Sequence, residues 1–312
     1  TWDDELGKWI CPEVWSPENQ TGGNTAVHAR QMVWELFRNT IEAIGITGTH
    51  ADELTVLSEK FKDIDPGLHV ENGALQEWHR TSPSEDGHRH FSHLMCLYPM
   101  AQVSPYDEDR TNFEAAVGAL DLRGDGDGGE ACDWQKSWHM AMRARALGHG
   151  DYGDERGPHH QLELGVNYLY KNLNAATAGV HQIDGNSGLT AGMAECLLQS
   201  YSGVIDILPA LPSEWSDGNF SGMKAQGNFE VDCEWEEGLL KEVRVRDCLN
   251  HAAMRSGVRL RFHNMEANGV AMIKDLYVNG VKVAEAGSMD PAAVAAAAKP
   301  VYEYEPVTDT YL

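Results

Sequence analysis

The sequence predicts an α+β protein in which a helical region, residues 1–207, leads into a small antiparallel β region, residues 208–312. Three observations carry this prediction. The chain is 312 residues long, more than one ordinary globular domain holds. Apolar residues recur at steps of three and four through its first two thirds, the spacing that lines one face of a helix. After about Leu208 the period changes to two, the spacing of a strand with one face covered.

The helical elements come in order. Val33, Leu36, Phe37, Ile41 and Ile44 form one stripe, and Leu54, Leu57, Phe61 and Ile64 form a second. Trp134, Trp138 and Met142 mark a third helix, Leu162, Val166, Leu169 and Leu173 a fourth, and Leu189, Met193, Cys196 and Leu197 a fifth that stops near Gly203. Long loops rich in Gly, Asp, Pro and His separate them, and loops of that length in a compact domain are commonly functional. In the β region Phe229, Val231, Cys233 and Trp235 alternate with Glu230, Asp232 and Glu234; a Glu-Glu-Gly turn follows, then Val243 and Val245 alternate with Arg244 and Arg246. Val258, Leu260 and Phe262 predict another strand, and Tyr277 to Val281 a hairpin on an Asn-Gly turn. The alanine-rich run 292–298 reads either as a helix or as a flexible tail.

Charge narrows the partners. Lys and Arg number 24 against 48 Asp and Glu, a formal net charge of -24, and such a field repels phosphate backbones and anionic lipid. Nucleic acid and membrane surfaces are therefore excluded as expected partners. No apolar run is long enough to span a bilayer, and no charged-then-apolar leader precedes the first stripe. The six cysteines are far apart, with no C-x-x-C pair, so a zinc ribbon or thioredoxin-type site is not expected. Buried free thiols are the expected state, with Cys233 and Cys248 left open as a pair that faces across a strand hairpin.

Four segments have the residue types that chemistry needs. In "SPEN", Ser16 to Asn19, Glu18 either serves as a favourable charge at a helix entrance or acts as a reactive acid. "GHRHFSHL" places His88, His90 and His93 close together, yet no acidic motif of zincin type is near, and Arg89 with His90 suits hydroxyl oxygens better than zinc. "HQIDGNSGLTAG" holds Asp184 just before the Leu189 helix, either as a cap or as a carboxylate at the mouth of a cleft. "RGDGDGGEACDW" imitates a calcium loop but has Gly129 in place of an oxygen ligand and Lys136 in place of the bidentate Glu, so calcium is rejected. Nine tryptophans, among them Trp15, Trp78, Trp134 and Trp138, either fill the core or wall a sugar site, since indole packs on the C–H face of a pyranose, and composition alone does not choose between the two.

The segments "SPEN", "GALQEWHR", "GHRHFSHLMCLYP", "DWQKSWHMAMRARALGHGD", "HQIDGNSGLTAGMAECLLQS" and "ILPALPSEWSDGNFSGMKAQGNFEVDCEWEEGLL", in this order, resemble the second half of the family 95 glycoside hydrolases, the 1,2-α-L-fucosidases. The resemblance runs from about Ser16 to Val245. It implies part of an (α/α)6 toroid, about half the helices, followed by the β domain, and hydrolysis of terminal α-1,2-linked L-fucose with inversion. Residue by residue, it implies that Glu18 is the general acid and that Asp184 polarises an asparagine that orients the attacking water. It makes Arg89 and His90 ligands of the fucose, and Glu77 and Trp78 residues that line or support the cleft. Trp138 and Asn186 complete the expected sugar contacts. No cofactor and no metal is implied.

The family's catalytic asparagine lies in a segment upstream of "SPEN", so the chain reads as a piece of a longer protein whose N-terminal portion is its expected partner. Ser187 and Val180-His181 depart from the aromatic and proline residues usual around Asp184. The alternatives are an α-L-galactosidase of the same family and a catalytically incomplete sugar-binding fragment. A secreted protein, extracellular or periplasmic, is expected, although acidity also suits a salt-tolerant cytoplasm. Of the two sequons, at Asn19 and Asn219, the first would crowd Glu18 and is not expected to be used.

Overall fold

The computed structural model describes residues 1–19, 25–80, 87–125, 132–146, 157–248 and 259–263, together with the strands 266–267, 270–271, 275–278, 281–285, 288–289 and 303–304. The chain divides into two compact units, Thr1–His139 and Met140–Leu312.

The first unit opens with a small ribbon, β1 (Trp2–Asp3) against β2 (Lys8–Trp9). Helix α1 (His28–Thr47) and helix α2 (Leu54–Phe61) follow and pack on each other. The expected stripe of α1 is covered only in part: Ile44 is buried, while Leu36 is 63% exposed. The side chains α1 does bury are polar, Arg30 and Gln31. Burial of polar groups is tolerated only with partners. Gln31 donates to the carbonyls of Gly67 (3.2 Å) and His93 (2.8 Å) and accepts from the Cys96 amide (3.2 Å). Arg30 meets Asp65 at 2.5 Å. These bonds tie α1 to the loop before the short ribbon of β3 (Val70–Glu71) and β4 (Ala74–Leu75), and to a turn of 3-10 helix at Ser92–Leu94.

Helix α3 (Thr111–Arg123) was not expected from periodicity. Phe113, Ala115, Ala116, Val117, Ala119, Leu120 and Arg123 are all buried, and a helix buried on most sides shows no amphipathic stripe. It packs on β4 and on the 3-10 turn. Helix α4 (Asp133–Ala146) bears the expected Trp134, Trp138 and Met142.

In the second unit, α5 (Pro158–Val166) ends earlier than the Leu162 to Leu173 spacing predicted. Leu169 instead bridges Ala175, and Leu173 is 69% exposed with φ 65. A short hairpin, β5 (Ala176–Thr177) and β6 (Val180–His181), turns on Ala178 and Gly179, both left-handed, as a two-residue turn of primed type requires. It delivers the chain to α6 (Ile183–Leu197), which ends at once in strand β7 (Leu198–Gln199) rather than near Gly203. Met140 and Ala144 of α4 pack against Leu189 and Cys196 of α6. Among the described residues the α-helices are six, half the twelve of an (α/α)6 toroid.

The β region follows. Strand β8 (Ile205–Ile207) pairs antiparallel with β7, and β9 (Gly218–Ala225), β10 (Phe229–Glu236) and β11 (Leu239–Asp247) form an antiparallel meander with β10 central. As the alternation predicted, Phe229, Val231, Cys233 and Trp235 of β10 are buried. They share a core with Ile205, Ile207, Leu208, Leu260 and Phe262. The hairpin turns on Glu237 (φ 54) and Gly238 (φ 73). Strand β12 (Arg259–Phe262) pairs parallel with β8 and with β18 (Glu303–Tyr304), so one sheet is mixed rather than wholly antiparallel. Strands β13 (Glu266–Ala267) and β14 (Val270–Ala271) pair with each other, and β15 (Asp275–Val278), β16 (Val281–Glu285) and β17 (Ser288–Met289) form a last meander. Val278 opposes Val281, the register of the expected hairpin; its Asn279-Gly280 turn, like Val258 and the alanine-rich run, lies outside the described residues.

All six cysteines are free. Cys233 and Cys248 do not face each other: Cys233 opposes Val243 and Phe220, while Cys248 lies past the end of β11, exposed. The pairing left open by the sequence does not occur, because the register places position 248 beyond Phe229, four residues from Cys233 along β10.

Candidate active site

The turn "SPEN" is closed by its own backbone, with the Asn19 amide donating to the Ser16 carbonyl at 3.1 Å. Within it Glu18 has φ 51, a left-handed conformation that costs an ordinary residue about 1–2 kcal/mol and persists only where neighbours hold it. The first and last side chains of the turn, Ser16 and Asn19, are buried. Ser16 Oγ donates to Glu77 Oε1, and Asn19 Nδ2 donates to Glu77 Oε2 at 3.4 Å. Arg123 Nη2, from the last turn of α3, donates to the same Oε2 at 2.5 Å. The Glu77 and Arg123 side chains are both fully enclosed. Glu77 is held in turn by its backbone, whose carbonyl accepts from the Val27 amide at the start of α1 (3.0 Å).

Glu18 itself points outward, its side chain 62% exposed. That differs from the buried acid expected of a proton donor. Its carboxylate forms an ion pair with Arg89 and stands 3.5 Å from His90 Nε2. Behind this pair lies an aromatic stack. His90 packs on His88 (centroids 5.2 Å apart, 30° between planes) and on Trp134 of α4 (4.6 Å, 56°). The stack rests on the 3-10 turn at Ser92–Leu94, where His93 is buried and its carbonyl is taken by Gln31. His88 and His90 are thus ring partners of each other, and His93 belongs to the core beneath them. Trp15, beside the turn, is 61% exposed.

The remaining expected residues fall into two groups. Glu77 and Trp78 are both buried, the latter 3% exposed, and of the two Glu77 is bonded to the turn through Ser16 and Asn19. Trp138 is half-buried, donates from Nε1 to the Tyr98 carbonyl (3.0 Å) and meets Phe91 edge-on. In the second unit Asp184 is exposed in the first turn of α6, where a negative charge complements the helix dipole. Asn186 accepts from the Ala175 amide (2.8 Å) and donates to the Leu173 carbonyl (2.7 Å). Its amide fastens the loop before β5, because an asparagine one turn into a helix can satisfy an adjacent loop's backbone.

Sequence reasoning did not single out Arg123, and it read Ser16 and Asn19 as helix caps, and Asn19 as a sequon, rather than as partners of Glu77. The one signal for Arg123 was a cation at the end of the alanine- and leucine-rich helix segment "TNFEAAVGALDLR", which a buried carboxylate partner explains. The burial of Asn19 also accounts for its sequon: its Nδ2 is engaged by Glu77, whereas Asn219 on β9 is exposed. A separate cavity of about 320 Å³, lined by Trp9, Ile10, Cys11, Val33, Phe37 and Ile64 among others, includes none of the residues around Glu18.

The family model described as glycosyl hydrolase family 95 catalytic domain matches residues 1–197, and that described as glycoside hydrolase family 95, C-terminal domain, matches residues 199–279. The chain is 28% identical over 236 residues to a probable alpha-fucosidase A of Aspergillus niger, covering 70% of this chain and 29% of that protein. It is 31% identical over 223 residues to alpha-L-fucosidase 2 of Arabidopsis thaliana, covering 68% of this chain and 25% of that protein. A probable alpha-fucosidase A of Aspergillus oryzae is 28% identical over 263 residues, with 75% and 35% covered. The chain thus spans about a third or less of the length of these curated relatives.

Proposed function

Because the chain belongs to glycosyl hydrolase family 95, we propose that it is the later part of an inverting α-L-fucosidase that releases terminal α-1,2-linked L-fucose from glycans. The observation that carries this reading is the placement of Glu18, which projects from a turn anchored in the core and faces Arg89 and His90. A carboxyl group on a rigid turn, flanked by donors and an aromatic stack, suits proton delivery to a glycosidic oxygen beside a bound sugar. Arg89 and His90 supply donors for the fucose hydroxyls, and Trp134 and Trp15 supply indole faces for the C–H surface of the ring. Asp184, at the mouth of α6, polarises an asparagine from the segment upstream of this chain, which orients the water on the opposite face of the sugar. Inverting glycosidases hold their acid and base roughly 6.5–9.5 Å apart so that this water fits.

The mechanism is a single displacement. Water attacks the anomeric carbon as the bond to the leaving oxygen breaks; Glu18 gives that oxygen its proton, and the base side takes one from the water. A sugar seated on Arg89 and His90 would cover the Glu18 carboxylate and displace its ion pair. The catalytic groups belong to the helical region, residues 1–207, and the β region from 208 follows it in the chain. Among the described residues no helix is long and apolar enough to cross a membrane. The strongly acidic composition suits an exported protein, extracellular or periplasmic, acting on glycans.

The test is hydrolysis of 2′-fucosyllactose by the protein that contains this chain, followed by proton NMR of the released sugar. The expected result is β-L-fucose as the first anomer, and a loss of about 10²–10⁴-fold in kcat for Glu18→Gln, the usual worth of a general acid. Release of the α anomer first, or wild-type turnover by Glu18→Gln, would overturn the reading. Faster turnover of nitrophenyl α-L-galactoside than of the fucoside would move the substrate to L-galactose. Fucose binding by calorimetry with no release would make the chain a binding module.

A further inference from the structure

The residues on either side of the Pro17-Glu18 pair converge on one buried carboxylate. Ser16 bonds one oxygen of Glu77, Asn19 and Arg123 bond the other, and nothing in that arrangement is open to a ligand, since the Glu77 and Arg123 side chains are 0% exposed. A bare buried carboxylate would cost several kcal/mol, and one guanidinium with two further donors offsets that cost. The outcome is a fixed point below the turn. From it the backbone reaches Glu18 in a left-handed conformation that a glutamate does not choose unaided. The same glutamate receives the Val27 amide on its carbonyl, so the turn, the start of α1 and the end of α3 all meet at position 77.

We propose that Glu77 is a positioning residue for Glu18: with Arg123 it clamps Ser16 and Asn19, and through them it sets the conformation in which the Glu18 carboxyl faces Arg89 and His90. This rests on the reading of Glu18 as the general acid. Glu77 touches no reacting atom, and its effect on the reaction passes entirely through the turn. The clamp therefore matters most where proton delivery matters most. A sugar alkoxide is a poor leaving group and needs the proton; fluoride leaves with little help. A residue that serves only stability would slow both substrates alike, whereas one that aims the acid would slow only the first.

The experiment compares 2′-fucosyllactose with α-L-fucosyl fluoride in the protein that contains this chain, using Glu77→Gln and Ser16→Ala. Ser16→Ala leaves the Glu77–Arg123 pair in place, so it reports even if Glu77→Gln, which removes a buried charge facing Arg123, fails to fold. We expect kcat on the oligosaccharide to fall about 10–100-fold, the scale of an ångström of misplacement, with KM little changed and fluoride turnover within about 3-fold of wild type. Equal losses on both substrates, or none on either, would overturn the proposal.

Amide hydrogen exchange supplies a readout that does not need activity. The Asn19 amide, which donates to Ser16, should exchange at least about 10-fold faster in Ser16→Ala while the amides of α1 keep their wild-type rates. Unchanged exchange at Asn19 would overturn the clamp. A wild-type protein that cleaves neither substrate would instead overturn the fucosidase reading, and the exchange result would then decide the clamp alone.

Discussion

Replacing Asp65 with asparagine should destabilise the first unit by about 3 kcal/mol. Asp65 and Arg30 face each other at 2.5 Å with side chains 4% and 1% exposed, and Asp65 also meets His69 Nε2 at 3.0 Å and accepts from the Gly67 amide at 3.1 Å. The asparagine retains an acceptor for Gly67 and removes the charge. What remains is a guanidinium in the core with no countercharge, one whose Nε already lacks a partner among the described residues. Breaking a buried pair from one side costs about 3–5 kcal/mol, and the retained acceptor puts this case at the lower end. At about 2–4 °C per kcal/mol, Tm should fall by roughly 6–12 °C. Urea unfolding followed by tryptophan fluorescence measures the loss.

The pH dependence gives a second handle on the same substitution. Burial alone would push the Asp65 carboxyl up, but the hydrogen bond and charge of His69, with the bond from Arg30, hold it well below its ordinary value of 3.8. A depressed carboxylate stabilises the fold above its unfolded value, and that contribution is lost as pH falls through the folded one. The difference between wild type and Asp65→Asn should thus be full at pH 7 and shrink only below about 3.8. A loss under about 1 kcal/mol at neutral pH would refute the reasoning, since it would mean that the cation finds other compensation. The double replacement Arg30→Met with Asp65→Leu should recover most of the stability, because two apolar groups leave no charge stranded.

Two further outcomes are expected. His79 is held down to about 4 by burial and by the neighbouring charges of His69, Arg30 and Arg80, so the folded state resists a proton that the unfolded chain accepts below 6.5. Wild-type stability should decline between pH 6.5 and 4, and His79→Phe should flatten that decline in urea midpoints; an unchanged slope would count against it. Burial raises the thiols of Cys96 and Cys233 to about 12 and that of Cys132 to about 11, while Cys248 is exposed. Ellman's reagent at pH 8 should therefore titrate Cys248 in the native protein and release the other buried thiols only on unfolding; rapid native reaction at Cys233 would contradict its enclosure in the β core.

Much of the fold is legible from local pattern. The alternation of Phe229, Val231, Cys233 and Trp235 is the burial pattern of β10, because side chains of a strand point to opposite faces at every step. The Trp134, Trp138 and Met142 spacing falls within α4 for the equivalent reason in a helix. Pattern failed where burial is not one-sided. Helix α3 is enclosed on most sides and so has no stripe, and α1 has a stripe that stays half in the open while Arg30 and Gln31 go inside. The candidate site divides the same way: the motif residues Glu18, Arg89 and His90 meet, but the bonds that Glu77 makes to Ser16, Asn19 and Arg123 come from partners 46 to 61 positions away.

By itself, the sequence determined the helices and strands that bury one face, the acidic net charge, and the set of residue types available for chemistry, since periodicity and charge are properties of neighbouring residues. Only the tertiary structure decided that Glu18 stands exposed on a turn, that Ser16 and Asn19 reach a carboxylate about sixty positions away, and that Arg123 neutralises it. The reason is physical: a buried charge must find its partner wherever the packed chain brings one, and no local rule specifies that distance along the sequence.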